Sequence, residues 1–261
     1  MESSILSFCT VTYNNEEQIR ALIENIEKSI PHGVSTTIFV VDNKSSDKTV
    51  ETVLQCQTSF SNIKLIQPES NNGFGAGNNE VLPYLNSKYH VLVNPDISIS
   101  SSKEIEKMMN YMNEHQEVGL LSPLILNSDG TIQKLYKRNP TVLDLGLRFI
   151  SPNILKKRQN WYVHEESGYN HIGEIEHASG AFMFFRTETF KKIGGFDKRY
   201  FMYMEDDDIT RKVNKISKAM FFPNAKVVHV WQRKSYKKIK YTLMEIKSMV
   251  KYFNKWGWKI W

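Results

Sequence analysis

The segment Ile5-Leu6-Ser7-Phe8-Cys9-Thr10-Val11-Thr12-Tyr13-Asn14 runs largely apolar as far as Val11 and then ends in polar residues. Such a run reads as a strand buried on both faces, as in the middle of a parallel sheet. Behind it the period changes. Ile19, Leu22, Ile23, Ile26 and Ile30 recur at helical spacing, opened by Asn14-Asn15-Glu16-Glu17 with a cap and first-turn acids. The alternation continues outward. Ile38-Phe39-Val40-Val41 is a second strand ending at Asp42, and Ser45-Ser46-Asp47 caps a helix carrying Val50, Val53 and Leu54. Residues 63–66 form a third strand, followed by Asn71-Asn72-Gly73 and a helix through Val81, Leu82 and Leu85. Val91-Leu92-Val93 is a fourth, ending in Asn94-Pro95-Asp96. This repetition predicts an α/β fold, a mostly parallel sheet with helices on both faces.

Past Met112 the pattern is mixed, with strands expected at 118–121, 131–135 and 180–186 and two short ones at 219–222 and 226–230. Residues 137–175 have weak periodicity and receive no assignment. Near the end, Ile239, Leu243, Ile246, Val250 and Phe253 follow a 4-3-4-3 spacing, an amphipathic helix with lysines on its other faces. No repeat or linker divides the chain. The expected organisation is one α/β domain over 1–235 and a basic, aromatic helical tail over 236–261.

The 261 residues suffice for a sizeable core, and 41% apolar with 24% charged residues excludes a disordered chain. No uncharged apolar run approaches the roughly 18 residues of a membrane-spanning helix. Met1-Glu2-Ser3-Ser4 lacks a basic leader, so no signal peptide is expected. Cys9 and Cys56 cannot form a disulfide framework, and a reduced, cytoplasmic protein is the expectation. Net charge is +6, but residues 232–261 hold nine Lys and Arg against Glu245 alone. The rest has 25 basic against 27 acidic residues, so the high pI belongs to the tail. A basic, aromatic tail suits an anionic membrane surface or another polyanion.

Ligands of open α/β sheets bind beyond the carboxyl ends of the strands. Polar residues gather at those ends: Thr10 to Asn14, Asp42-Asn43 and Asn94-Pro95-Asp96. Capping accounts for any one of them, less readily for all together. Gly73-Phe74-Gly75-Ala76-Gly77 admits two readings, close approach of backbone N–H groups to an anion or close packing of a helix on the sheet. Asp96 ends a hydrophobic strand, where a carboxylate is costly unless paired or metal-bound; a simple turn is the other reading. Glu205-Asp206-Asp207-Asp208 follows the apolar Tyr200-Phe201-Met202-Tyr203-Met204. Helix-dipole capping explains part of that run, but a partly buried carboxylate there would have a raised pKa suited to a general base. His229 closes an apolar strand, with Arg233 and Lys234 just beyond as candidates for anion binding.

In order and spacing these pieces, with Ser179-Gly180-Ala181-Phe182-Met183, Gly194-Gly195-Phe196-Asp197 and Val228-His229, resemble family 2 glycosyltransferases of the GT-A fold. The rhamnosyltransferase-like branch is the nearest, and the resemblance spans roughly residues 4–235. It implies an inverting sugar transfer from a nucleotide diphosphate donor to a glycan or polyprenyl-linked acceptor, in surface polysaccharide assembly. By the same resemblance Thr10, Tyr13, Asn14 and Asp42 hold the nucleoside, with Asn72, Gly73 and Asn94 close by. Asp96 binds Mg²⁺ or Mn²⁺, with Asn94 standing where many members have a first Asp, and His229 completes the metal site. Asp206 matches the family's base, with Asp208 the alternative and Glu205 beside them. Gly180 and Ala181 border the acceptor and diphosphate, where Arg233 or Lys234 neutralises charge, and 137–175 shapes the acceptor side. Rhamnose from dTDP-rhamnose is the first choice of donor, UDP-hexoses the next.

Other readings remain at this stage. A nucleotidyltransferase would need a basic glycine-rich signature near the N-terminus, absent from 6–20. A nucleic-acid-binding module fits the pI but not the near-neutral body. A non-catalytic sugar-nucleotide binder is the third. For the tail, docking at a membrane, packing on the catalytic body and packing on a second copy in a homodimer all stand open.

Overall fold

The computed structural model describes residues 4–150, 154–230 and 239–261. Its first half alternates as the sequence requires: β1 (Leu6–Thr12), α1 (Ile19–Lys28), β2 (Thr36–Asp42), α2 (Thr49–Ser59), β3 (Ile63–Ile66), α3 (Phe74–Asn79) and β4 (Tyr89–Val93). Then come β5 (Ile97–Ile99), α4 (Ser102–Glu114), β6 (Val118–Leu126), α5 (Val142–Ile150) and α6 (Lys156–Tyr162). The chain continues through β7 (Gly173–Glu174), β8 (Phe182–Arg186), α7 (Thr187–Lys192), α8 (Glu205–Asn214), β9 (Lys218–His229) and α9 (Ile239–Trp256).

One sheet holds these strands in the order β3-β2-β1-β4-β8-β6-β9-β5, with β7 also paired to β9. Its first four strands are parallel. Beyond β4 the sheet is mixed, because β8 runs antiparallel to both β4 and β6 while β6 and β9 are parallel. Strand alternation sends Phe8, Val40 and Val91 to one face, under α1 and α4, and Cys9, Val41 and Leu92 to the other, under α7 and α8. Burial on both faces is why these strands read as near-continuous apolar runs.

Several local expectations are corrected. The helix through Val81, Leu82 and Leu85 is instead the short α3 followed by a 3-10 turn at Leu82–Tyr84, since Pro83 withholds an N–H. Residues 131–135 form no strand and contribute only a single bridge, Leu126 to Ile132. The two last short strands are one, β9, whose register jumps between Pro123/Phe222 and Leu124/Lys226 so that a bulge absorbs Pro223, Asn224 and Ala225. Residues 137–175 contain α5 and α6, joined by Arg158 donating to Asp144 at 2.7 and 2.9 Å.

Of the apolar stripe read in the C-terminal helix, only Phe253 turns to the body. Met249, Tyr252 and Phe253 pack with Leu145, Tyr200 and Met204, whereas Ile239, Leu243, Ile246 and Val250 are exposed. The proposed boundary between 235 and 236 lies outside the described residues.

Candidate active site

Because β1, β2 and β4 are parallel, their carboxyl ends share one edge, and a cleft of about 670 Å³ opens there. Tyr13 and Asn14 reach it from the loop after β1, Asn43 from the end of β2, and Asn94 and Asp96 from the end of β4. Asn71, Gly73, Phe201 and Met202 also line it. The loops after β1 and β2 are stitched together: Asn14 N–H donates to Ser45 Oγ at 2.9 Å and Ser46 N–H to Asn14 Oδ1 at 2.8 Å. This holds Asn14 in the left-handed region (φ 55°) and leaves Tyr13 half-exposed at the cleft.

Thr10 and Asp42 are buried and contribute no surface to the cleft wall. Asp42 instead shapes it from below, its Oδ2 accepting the Ser45 N–H at 2.9 Å. Asn72 is likewise outside the wall that its neighbours Asn71 and Gly73 form. The glycine run is a packing device. At Gly73 (φ 91°) a Cβ would stand 1.9 Å from the Phe201 carbonyl oxygen, and Phe74 N–H donates to that oxygen at 3.2 Å. Gly75 meets Phe196 and Gly77 meets Val11 in the same way.

Asp96 and His229, far apart in the chain, come together because β5 pairs antiparallel with β9, placing Ile97 opposite His229. His229 Nε2 lies 3.1 Å from Asp96 Oδ2, and Val230 N–H donates to the Asp96 carbonyl at 2.8 Å. Gln133 orients the ring. Its amide nitrogen donates to Asn127 Oδ1 at 2.8 Å, which turns Oε1 toward His229 Nδ1 at 3.0 Å. His229 Nδ1 therefore donates, and Nε2 faces the carboxylate. Asp96 Oδ1 is buried with no hydrogen-bond partner. A free carboxylate oxygen beside an imidazole nitrogen is a donor set that fits Mg²⁺ or Mn²⁺. Among the described residues no group of three or more His, Cys, Asp or Glu gathers around a metal position. Diphosphate oxygens and water would have to supply the remaining ligands.

The acid run forms the first turn of α8, entered through Tyr203 and Met204 at φ 70° and 67°. Asp206 Oδ2 accepts the Gly180 N–H at 2.8 Å, while Oδ1 is buried without a partner. Burial pushes the Asp206 carboxyl above the usual range, only partly offset by nearby His177, the Gly180 N–H and Lys137. Gly180 must lack a side chain, since a Cβ would come within 2.4 Å of Asp206 Oδ1. The next residue reaches the end of β4, two residues before Asp96: Ala181 carbonyl accepts the Asn94 N–H at 3.0 Å. Because β8 is antiparallel to β4, Gly180 and Ala181 precede β8 at the edge where β4 ends. Asp206 and Asp96 are thereby brought to one end of the sheet.

The other acids face elsewhere. Glu205 is buried, with its carboxyl raised well above the usual range by burial and by Asp206. Asp207 pairs with His177 Nδ1 at 3.0 Å. Asp208 is fully buried and accepts from Trp256 Nε1 at 2.8 Å and Lys255 Nζ at 2.6 Å. Its Oδ2, like Asp206 Oδ1, is buried without a partner; the two acids differ in that Asp208 is fully buried whereas Asp206 is half-buried. Arg233 and Lys234 lie outside the described residues. Gln133, His177, Phe201 and Met202 were not singled out as site residues. Only the aromatic stretch before the acids hinted at the last two.

A family model for glycosyl transferase family 2 matches residues 7–194. The chain is 25% identical over 244 residues to an N-acetylglucosaminyl-diphospho-decaprenol L-rhamnosyltransferase of Mycobacterium tuberculosis, covering 87% of this chain and 76% of that protein. It is 26% identical over 212 residues to the rhamnosyltransferase WbbL of Escherichia coli K12, covering 78% and 75%. A mannosyltransferase from Pyrobaculum calidifontis, solved with GDP-Man and Mn²⁺, shares the fold with a TM-score of 0.70 over 98% of this chain and 64% of its own, at 16% identity. With sheet, cleft and sequence match in agreement, the chain belongs to glycosyl transferase family 2, with a GT-A fold.

Proposed function

We propose that the protein transfers a sugar, with inversion, from a nucleoside diphosphate donor to a hydroxyl of a glycan or polyprenyl-linked acceptor in surface polysaccharide assembly. dTDP-rhamnose is the preferred donor, a choice supported by the names of the two bacterial relatives. The observation that carries the reading is Asp206: a buried carboxylate with one oxygen tethered by Gly180 and the other unpartnered, at the sheet end that also carries Asp96.

A sugar hydroxyl is a weak nucleophile until its proton is taken. Asp206 Oδ1 accepts that proton as the hydroxyl oxygen bonds to the anomeric carbon. The bond from that carbon to the diphosphate breaks in the same displacement, and its electron pair leaves with the nucleoside diphosphate. One displacement inverts the centre, and no covalent sugar–enzyme species is required. Gly180 N–H fixes Oδ2, leaving Oδ1 as the oxygen that takes the proton. Asp96 and His229 would hold Mg²⁺ or Mn²⁺, which when bound offsets charge on the leaving diphosphate. Tyr13, Asn14, Asn71 and Gly73 bind the nucleoside part of the donor at the parallel end of the cleft.

Thermal unfolding with nucleotides tests the binding half of this reading. dTDP or dTDP-rhamnose with Mg²⁺ or Mn²⁺ is expected to raise the midpoint, UDP-hexoses less, and oligonucleotides not at all. Asp96→Ala is expected to lose the metal-dependent part of the shift. An equal shift with and without metal, unchanged in Asp96→Ala, would count against the metal assignment.

A further inference from the structure

Helix α9 has two apolar faces, and only one is covered. Its inner face is anchored by Met249, Tyr252 and Phe253 and by Ser248 Oγ donating to the Met202 carbonyl at 2.8 Å. Its outer face leaves Leu243, Ile246 and Val250 54%, 43% and 41% exposed. Lys247 is exposed on the flank of that stripe, while Lys251 turns its ammonium to the Arg199 carbonyl at 2.6 Å. The patch does not stop at the helix. Trp258, also exposed, packs tilted against Phe253 with ring centroids 5.4 Å apart, and Trp261 is 70% exposed.

A second segment adjoins it. The Arg158 guanidinium lies 4.2 Å from the Trp161 ring and 6.0 Å from the Trp261 ring. The N–H groups of Val142 and Leu143 donate to the carbonyls of Lys259 and Ile260 at 2.9 and 3.2 Å. Just before Arg158, Ile154 and Leu155 are exposed, and exposed Lys156 and Lys157 follow them. Two stretches of different origin thus carry the same combination, bare apolar side chains bordered by lysines, with tryptophans where they meet.

We propose that this combined face docks the protein on an anionic bilayer surface, with α9 lying in the interfacial plane. Apolar side chains and tryptophan rings enter the headgroup boundary while flanking lysines meet lipid phosphates. Charge complementarity favours a bilayer over a second copy, because a self-contact of this face would bring two lysine-bordered patches of like charge together. Spanning is not involved: no described helix is long and apolar enough to cross a membrane. The inference rests on the proposed lipid-linked acceptor only for its purpose. Since α9 holds Met202, which lines the cleft, the docked face and the site share a structural element.

The test uses the full chain and sedimentation with vesicles of phosphatidylcholine alone or mixed with phosphatidylglycerol. Binding to the mixed vesicles, weakened by salt, is expected. Ile246→Glu combined with Trp258→Ala is expected to abolish it. Lys247→Ala and Lys156→Ala, which leave the apolar surface intact, should each lower the partition coefficient about fivefold. All variants should keep the nucleotide-dependent thermal shift, so loss of docking and loss of donor binding are told apart. Absence of binding to mixed vesicles, or variants that sediment like the wild type, would overturn the proposal. So would a dimer, seen by light scattering, that Ile246→Glu dissociates.

Discussion

Four consecutive carboxylates at 205–208 meet four different neighbourhoods, because an α-helix turns each residue by about 100° from the last. Asp206 is aimed at Gly180, Asp207 at His177 and Asp208 at Lys255 and Trp256, while one Glu205 oxygen is buried without a partner. A run of acids in sequence is therefore not a cluster of acids in space. The run is legible as unusual, but which member meets the Gly180 N–H is not. Glu205 gives a residue-level prediction. Burial raises its carboxyl in the folded state, so the ionised form is disfavoured by folding. Its stability contribution is present below the ordinary carboxylate range and is lost as pH rises through the raised value. Glu205→Gln is expected to raise the thermal midpoint near neutral pH by about 2–4 °C, as for about 1 kcal/mol, with no gain at acid pH. A midpoint gain that persists in acid would contradict this origin.

At the scale of elements, β1, β2 and β4 could be read because each is buried on both faces and ends abruptly in polar residues. β9 could not, since Pro223-Asn224 looks like a turn and only pairing with β6 shows the bulge that carries the strand past them. The face that α9 buries was also hidden. All of its apolar stripe but Phe253 faces outward, and the helix is oriented by Lys255, which reaches Asp197 at 2.8 Å and Asp208 at 2.6 Å. Burial alone would raise Asp197, but its bonds from Lys255 and Arg199 outweigh that and bring it down to about 2. The stability from this pairing is present above the ordinary carboxylate range and is lost as pH falls toward that value. Lys255→Met is therefore expected to cost about 3 kcal/mol at neutral pH, having stranded a buried carboxylate, and less in acid. Denaturant unfolding at the two pH values checks it; a cost below the error of the fit would show that α9 is held by its apolar contacts alone.

Over the whole molecule, the parallel strands supply one end of the cleft, and the mixed half of the sheet supplies residues beside it. Periodicity reveals a strand but not its direction, which is why the pairing of Asp96 with His229, and the place of Asp206 at the same end of the sheet, are reachable only through the family resemblance. Both follow from the antiparallel pairings of β8 with β4 and β5 with β9. The claim to be tested is that Asp206 takes the acceptor's proton. Single-turnover transfer by Asp206→Asn, measured on protein whose nucleotide-dependent thermal shift is intact, tests it directly. The expected result is a bond-forming rate lower by about 10²–10⁴. In the wild type that rate should rise with pH through a value above the usual carboxylate range. A variant that transfers sugar at the wild-type rate would contradict the assignment.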